Sequence, residues 1–241
     1  LFGHVDGAVR YSVGGWARDA AAALAAIAAR GRPAIVVGGT GLYFRALTQG
    51  LSEAPDIPPY VRGEAEARLA AIGLPAFREE VVAADPAMAR LKPGDRQRHI
   101  RAWEVHRVTG RPLSAFQSGG APMIAEPAAR IVLEPPRAAL YRAIEERFDA
   151  MLAGGALAEV EALAARRLSP ALPVMKAVGV PELLDHLAGR LSLDAATSFA
   201  KQSSRRFAKR QMTWFRNQTP DWPRAADIQD GINVIRRQLG E

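Results

Sequence analysis

Ile35-Val36-Val37-Gly38-Gly39-Thr40-Gly41-Leu42-Tyr43-Phe44 is the stretch from which the chain is best read. Residues 35–37 are a short β-branched run, which predicts a buried strand. Gly38, Gly39 and Gly41 follow at once, and from Leu42 the pattern turns helical. A strand that ends in glycines before a helix has the geometry of a phosphate cradle. Glycine lets the backbone approach a ligand, and the helix start offers free N–H groups and a positive dipole end. Thr40 puts a hydroxyl at the lip. The motif lacks the lysine of a Walker A loop, G-x-x-x-x-G-K-[ST]. Lys92, Lys176, Lys201 and Lys209 are the available lysines, and none follows a glycine. The turn is therefore either a second loop beside a main phosphate cradle or a tight strand-to-helix connection with no ligand.

Upstream of this stretch, Ser12 can cap a helix that passes Trp16, Leu24 and Ile27 and stops at Gly31. Helix, strand, glycine turn and helix in succession are α/β grammar. Ser52, Pro55, Asp56, Pro58 and Pro59 then form a linker-like break. Residues 60–109 read as helices only: 62–72, 75–84, a short one opened by Asp85-Pro86, and 96–108 capped by Asp95 and closed by Gly110. A loop with Gly119 and Gly120 follows. Residues 130–133 return to strand pattern, and Pro135-Pro136 opens a helix with Leu140, Ile144, Phe148 and Met151 on one face. The longest helix is expected over 194–217 and a terminal one over 232–239. The expected division is an α/β core of residues 1–54 and 125–241 with a helical insertion of residues 55–124.

The 241 residues allow one large domain or one domain carrying a smaller one. Hydrophobic residues make up 49%, enough for a sizeable core. The net charge is +7, mostly from arginine, which favours a polyanionic partner; a genome biased to arginine explains part of the excess. With no cysteine, disulfides, thiolate metal sites and thiolate nucleophiles are excluded. No apolar run approaches the roughly 20 residues of a membrane span, and no signal peptide is visible, so a cytoplasmic protein is expected.

The long helix holds the second informative segment. Lys201, Arg205 and Lys209 share a face, Arg206 and Arg210 form a parallel row, and Phe199, Phe207 and Trp214 lie on another side. No acidic residue occurs between Phe199 and Gln218. Such a stripe fits phosphate contacts along a nucleic-acid backbone, or a solvated face of a core-packed helix. On the insertion helix, Gln97 and Arg101 share a face with Arg98 beside them, while Ile100 and Trp103 are placed to pack beneath. Arginine and glutamine suit phosphates and base edges, although Glu104 can pair with Arg101 or Arg107. Arg147 borders the apolar face of its helix, so partial burial beside an anionic ligand is expected, or an ion pair with Glu145 or Glu146. The four histidines show no metal spacing and read as structural. There is no G-x-S-x-G elbow and no H-E-x-x-H.

Val36-Val37-Gly38-Gly39-Thr40-Gly41-Leu42-Tyr43-Phe44, Asp95-Arg96-Gln97-Arg98, Arg142-Ala143-Ile144-Glu145-Glu146-Arg147-Phe148, Val178-Gly179 and Ala208-Lys209-Arg210-Gln211-Met212-Thr213-Trp214-Phe215-Arg216 together resemble the tRNA dimethylallyltransferase family. The resemblance runs along nearly the whole chain. It implies an enzyme that transfers a dimethylallyl group from dimethylallyl diphosphate to N6 of the adenosine 3′-adjacent to the tRNA anticodon. It implies a P-loop-kinase-like parallel sheet core with a helical insertion domain that grips the anticodon stem-loop, and hence nucleotide or ATP binding. Thr40 is the implied catalytic residue; Gly38, Gly39, Thr40 and Arg147 are implied at the diphosphate. The implied tRNA-facing residues are Arg62; Gln97, Arg98, His99, Ile100 and Arg101; Lys176, Ala177, Val178 and Gly179; and Lys209, Arg210, Gln211, Met212, Thr213, Trp214, Phe215 and Arg216. Mg²⁺ is the implied cofactor, with ligands outside this chain, and a monomer is expected. By the same resemblance the P-loop and a general-base aspartate fall upstream of Leu1, so this chain alone is expected not to catalyse transfer. Where the family has V-G-Y-R, this chain has Val178-Gly179-Val180-Pro181. The alternatives are an adenylate isopentenyltransferase, which needs neither basic helix, and a non-catalytic RNA-binding protein.

Overall fold

The computed structural model describes residues 1, 3–51, 55–116, 120–124 and 127–240. Ser52 of the expected linker and Gly119 of the expected loop lie outside them. The chain divides into two compact units, Leu1–Phe44 with Ile124–Glu241, and Arg45–Met123.

In the first unit, α1 (Val13–Ala28) begins where Ser12 Oγ accepts from the Gly15 N–H at 3.0 Å. α2 (Gly41–Thr48) starts directly at the glycine turn and carries the chain into the second unit. The sheet is small. β1 (Val132–Leu133) pairs in parallel with β2 (Arg224–Ala225), and Val132 lies opposite Arg224. Residues 35–37, expected as a buried strand, are not one. They have no regular structure and no partner strand among the described residues, and Ile35 and Val37 are 87% and 76% exposed. A β-branched run is buried only when neighbouring strands take up its hydrogen bonds and cover its faces.

The remaining elements of this unit are helices. α5 (Arg137–Ala153), α6 (Ala156–Ala165), α7 (Val180–Leu187) and α8 (Leu193–Gln218) enclose Phe148, Val160, Leu183, Ala196 and Ala200. Alanine at 196 and 200, one turn apart and fully buried, keeps the α8 surface shallow where its neighbours approach. On α5, Ile144 and Phe148 are buried as their spacing predicts, while Met151 at the end of the same face is exposed. α9 (Ile228–Leu239) starts four residues before its expected position because Asp227 Oδ1 accepts from the Asp230 N–H at 2.8 Å and caps it there.

The second unit is helical. α3 (Pro59–Ala84) is broken at Gly73, whose φ of 76° lies outside helical space, so two helical runs meet where the sequence separates 62–72 from 75–84. α4 (Arg96–Thr109) is capped by Asp95, which accepts from the Arg98 N–H at 3.2 Å, and closed by Gly110. Phe77, Val81, Met88 and Ile100 form the core with Ala65, Leu69 and Ala102, and Trp103 stacks over Phe77 at 6.3 Å. Asp85 is 2% exposed yet fully engaged. It accepts from the Ser114 N–H and Oγ–H at 2.9 and 2.8 Å and from Ala87 N–H at 3.3 Å. Among the described residues no helix is long and apolar enough to cross a membrane.

Candidate functional site

The glycine turn and the C-terminal half of α8 pack against each other. Gln211 Nε2 donates to the Gly39 carbonyl at 2.8 Å, across 172 positions of sequence. A Cβ on Gly39 would stand 2.3 Å from that nitrogen, and one on Gly41 would stand 2.1 Å from the Trp214 ring. The glycines are thus required by close approach: only a backbone without side chains lets Gln211 and Trp214 reach the loop. One turn into α2, Phe44 meets Phe215 and Trp222 edge-on at 5.8 and 5.9 Å, and Tyr43 stacks on Trp16 of α1 at 4.0 Å. These contacts hold the turn from both sides.

Thr40 stands exposed at the apex, and its hydroxyl has no hydrogen-bond partner among the described residues. Val37, Gly38, Gly39, Thr40, Tyr43 and Phe44 line one part of a cleft of about 970 Å³; Tyr11, Trp16, Glu159 and Val174 are among the residues that line the rest. At this cleft Tyr11 O–H donates to Asp19 Oδ2 at 2.6 Å, and His4 Nε2 lies 3.2 Å from the same oxygen. Burial and then the Asp19 hydrogen bond push the Tyr11 phenol from 10.0 up to about 12. The phenol therefore stays neutral in the folded protein. Its contribution to stability is complete below pH 10 and is lost as the pH rises through about 12. The Tyr11 hydrogen bond, followed by that of His4, holds Asp19 below the usual carboxylate range.

Arg147 does not join this group. It is exposed on α5 and is not among the residues lining the cleft. Phe148 and Ile144 take the buried positions of that helix, which leaves the neighbouring arginine on its outer side. The expected partial burial is thus corrected.

A second, smaller cleft of about 260 Å³ lies between α7 and α8. Lys176, Ala177, Val178, Pro181, Glu182, Ser203, Arg206 and Arg210 line it. Of the α8 cations, Lys201 and Arg205 are paired with α5, at 2.6 Å to Asp149 and 2.5 Å to Glu145, and Arg216 donates to Glu134 at 2.8 Å. The stripe that has no acidic neighbour in sequence therefore has several in space. Gly179 is buried and Val178 exposed; Lys209, Thr213 and Arg216 are exposed, Phe215 is buried, and Met212 is intermediate.

In the second unit, Arg62 Nε donates to Glu66 at 2.8 Å and Arg62 Nη1 to the buried Glu104 at 3.1 Å. Partial burial alone would lower the Arg62 pKa; the two carboxylates outweigh it and raise it. Arg101 donates to the Pro55 carbonyl at 3.1 Å and lies 4.0 Å from Glu104. Gln97 and Arg98 are exposed on the first turn of α4. His99 and Ile100 are not: they are 0% and 1% exposed, and His99 Nδ1 lies 2.8 Å from the Asp95 carbonyl. Helical spacing places these two side chains inward, which corrects their placement on an RNA-facing surface.

The sequence left several residues unassigned: Tyr11, Trp16 and Tyr43 at the large cleft, and Glu182 and Ser203 at the small one. Only the aromatic at Tyr43, one turn after Thr40, could have been placed from spacing alone.

The profile of the IPP transferase family matches residues 1–218. The tRNA dimethylallyltransferase of Phenylobacterium zucineum (strain HLK1) is 55% identical over 233 residues, which cover 96% of this chain and 76% of that protein. Its counterpart in Caulobacter sp. (strain K31) is 53% identical over 230 residues, covering 95% and 74%. The chain thus spans about three-quarters of the length of these relatives. The full-length tRNA isopentenylpyrophosphate transferase of Bacillus halodurans superposes with a TM-score of 0.62 at 30% identity, over 98% of this chain and 76% of that one. A matched profile over most of the sequence, and relatives above 50% identity across it, establish that the chain belongs to the IPP transferase family.

Proposed function

We infer that this chain belongs to an enzyme that transfers a dimethylallyl group from dimethylallyl diphosphate to N6 of the adenosine 3′-adjacent to the anticodon in tRNA, and that the chain by itself does not catalyse the step. In that reaction the C1–O bond to diphosphate breaks, a C1–N6 bond forms, N6 loses a proton, and diphosphate leaves. An exocyclic amine is a weak nucleophile, so the site must hold the two substrates together and stabilise the leaving charge. An adenine in a loop is more easily turned out of its stack than one in a duplex, which suits an anticodon-loop target.

The observation that carries the reading is the clasp between the glycine turn and α8. It fixes Thr40 at the rim of the large cleft with its hydroxyl free of internal partners. In our proposal that hydroxyl binds at the junction of diphosphate and adenine. Gly38 and Gly39 admit the diphosphate to the backbone, and Lys209, Arg210 and the clasping residues Gln211 and Trp214 lie on the tRNA side. Arg62, Gln97, Arg98 and Arg101 contact the anticodon stem-loop from the helical unit, which acts as the insertion domain. A P-loop-kinase-like parallel sheet core belongs to the same proposal, supported by the parallel pairing of β1 with β2. Mg²⁺ belongs to the proposal as an ion carried on the diphosphate. Among the described residues no group of three or more His, Cys, Asp or Glu is placed to hold a metal, and no step here runs through one. A cytoplasmic monomer is proposed.

Mass spectrometry of tRNA from a strain lacking the gene tests the function. Loss of the N6-dimethylallyl mass from the adenosine beside the anticodon is expected, and its persistence overturns the reading.

A further inference from the structure

The cations of α8 divide into two sets. Lys201 and Arg205 are neutralised by Asp149 and Glu145 of α5. One position on, Arg206 turns away from α5 and lines the 260 Å³ cleft with Arg210 and Lys176. Among the described residues neither Arg206 nor Lys176 has an ion-pair partner, and Arg210 has only the face of Phe207, at 5.5 Å. The carboxylate of this cleft is Glu182. Its Oε1 accepts from Ser203 Oγ at 2.6 Å, while Oε2 is buried without a hydrogen-bond partner among the described residues. A half-satisfied carboxylate is costly on its own. Cations around the same cleft offset that cost through the field, without contact. Three cations against one carboxylate still leave the cleft positive.

We propose that Arg206, with Lys176 and Arg210, binds one backbone phosphate of the tRNA. This rests on the RNA reading above and adds to it a residue outside the segments that carry the family resemblance. Arginine's planar fork matches two phosphate oxygens, and the two arginines, one helical turn apart, can approach a phosphate from the same side. The cleft is small, so a single phosphate with its ribose enters and the paired stem stays outside. Glu182, fixed by Ser203, limits the positive charge and so keeps this contact one of several.

The test is binding of unmodified tRNA to the full chain by fluorescence anisotropy over a salt series. Arg206→Gln is expected to weaken binding about fivefold and to lower the slope of log affinity against log salt by about one. Arg190→Gln, an exposed arginine tied to Asp185 at 2.5 Å, is expected to change neither. Unchanged affinity and slope in Arg206→Gln overturn the phosphate site and leave the transfer reading standing. An equal loss in Arg190→Gln also overturns it, by showing a diffuse charge effect. Failure of the unsubstituted chain to bind tRNA overturns the RNA reading itself.

Discussion

Two basic segments, α4 in the helical unit and α8 in the other, look alike in sequence and differ in what neutralises them. On α4, Arg98, Arg101 and Arg107 answer to carboxylates of their own unit, while Arg96 has no ion pair among the described residues. Glu104, 4% exposed, takes Arg62 on one oxygen and has Arg101 near the other, and Asp95 both caps the helix and pairs with Arg98 at 3.5 Å. These cations are held in place as well as charged. On α8 the pairing is uneven: α5 takes Lys201 and Arg205 and Glu134 takes Arg216, while Arg206 and Lys209 are left without ion pairs among the described residues. A count of charges does not separate the two cases. What separates them is the element packed alongside, and only the fold supplies that.

The comparison breaks most visibly at Glu104. Glu104→Ala leaves Arg62 and Arg101 without their shared carboxylate in a partly buried setting. It is expected to destabilise the protein by about 2 kcal/mol, read as a lower midpoint in urea unfolding. A change near zero would mean that the α4 arginines are no more fixed than surface charges. A smaller effect is expected on the other side. Glu145→Gln releases Arg205, whose side chain is 29% exposed, and should cost less than about 1 kcal/mol of stability. The same change frees one more cation beside Arg206, so the salt slope of tRNA binding should rise by about one. A fall in slope would contradict the division of α8 into a paired and an unpaired face.

Local signals proved dependable where local chemistry decides the outcome. Ser12, Asp85 and Asp95 cap where their side chains can reach free N–H groups, and Gly73 and Pro75 part α3 as the sequence implies. Features that need a distant partner were not legible. Residues 35–37 carry the composition of a strand, but a strand requires neighbours to pair with. β2 follows Pro223 and is two residues long, too short for any periodicity. The Gln211–Gly39 bond spans 172 positions, and nothing in either segment names the other. At Ile100 helical spacing pointed inward, and His99 read as structural for want of metal spacing, while the family resemblance marked the whole segment as RNA-facing; both side chains are buried. Family resemblance locates a segment, and the helix then decides which of its side chains can be reached.

In our proposal the clasp of Gln211 and Trp214 on the glycine turn presents Thr40 to the reacting groups. The most direct measurement is single-turnover dimethylallyl transfer to unmodified tRNA by Thr40→Ala in a version extended upstream of Leu1 to the length of its relatives, compared with the same version unsubstituted, with thermal unfolding followed in parallel. Because Thr40 is exposed and its hydroxyl has no internal partner among the described residues, the melting temperature should be unchanged. The transfer rate should fall by about 100-fold, the scale of losing one well-placed polar contact in a transition state. An unchanged rate in a fully folded variant would contradict the claim.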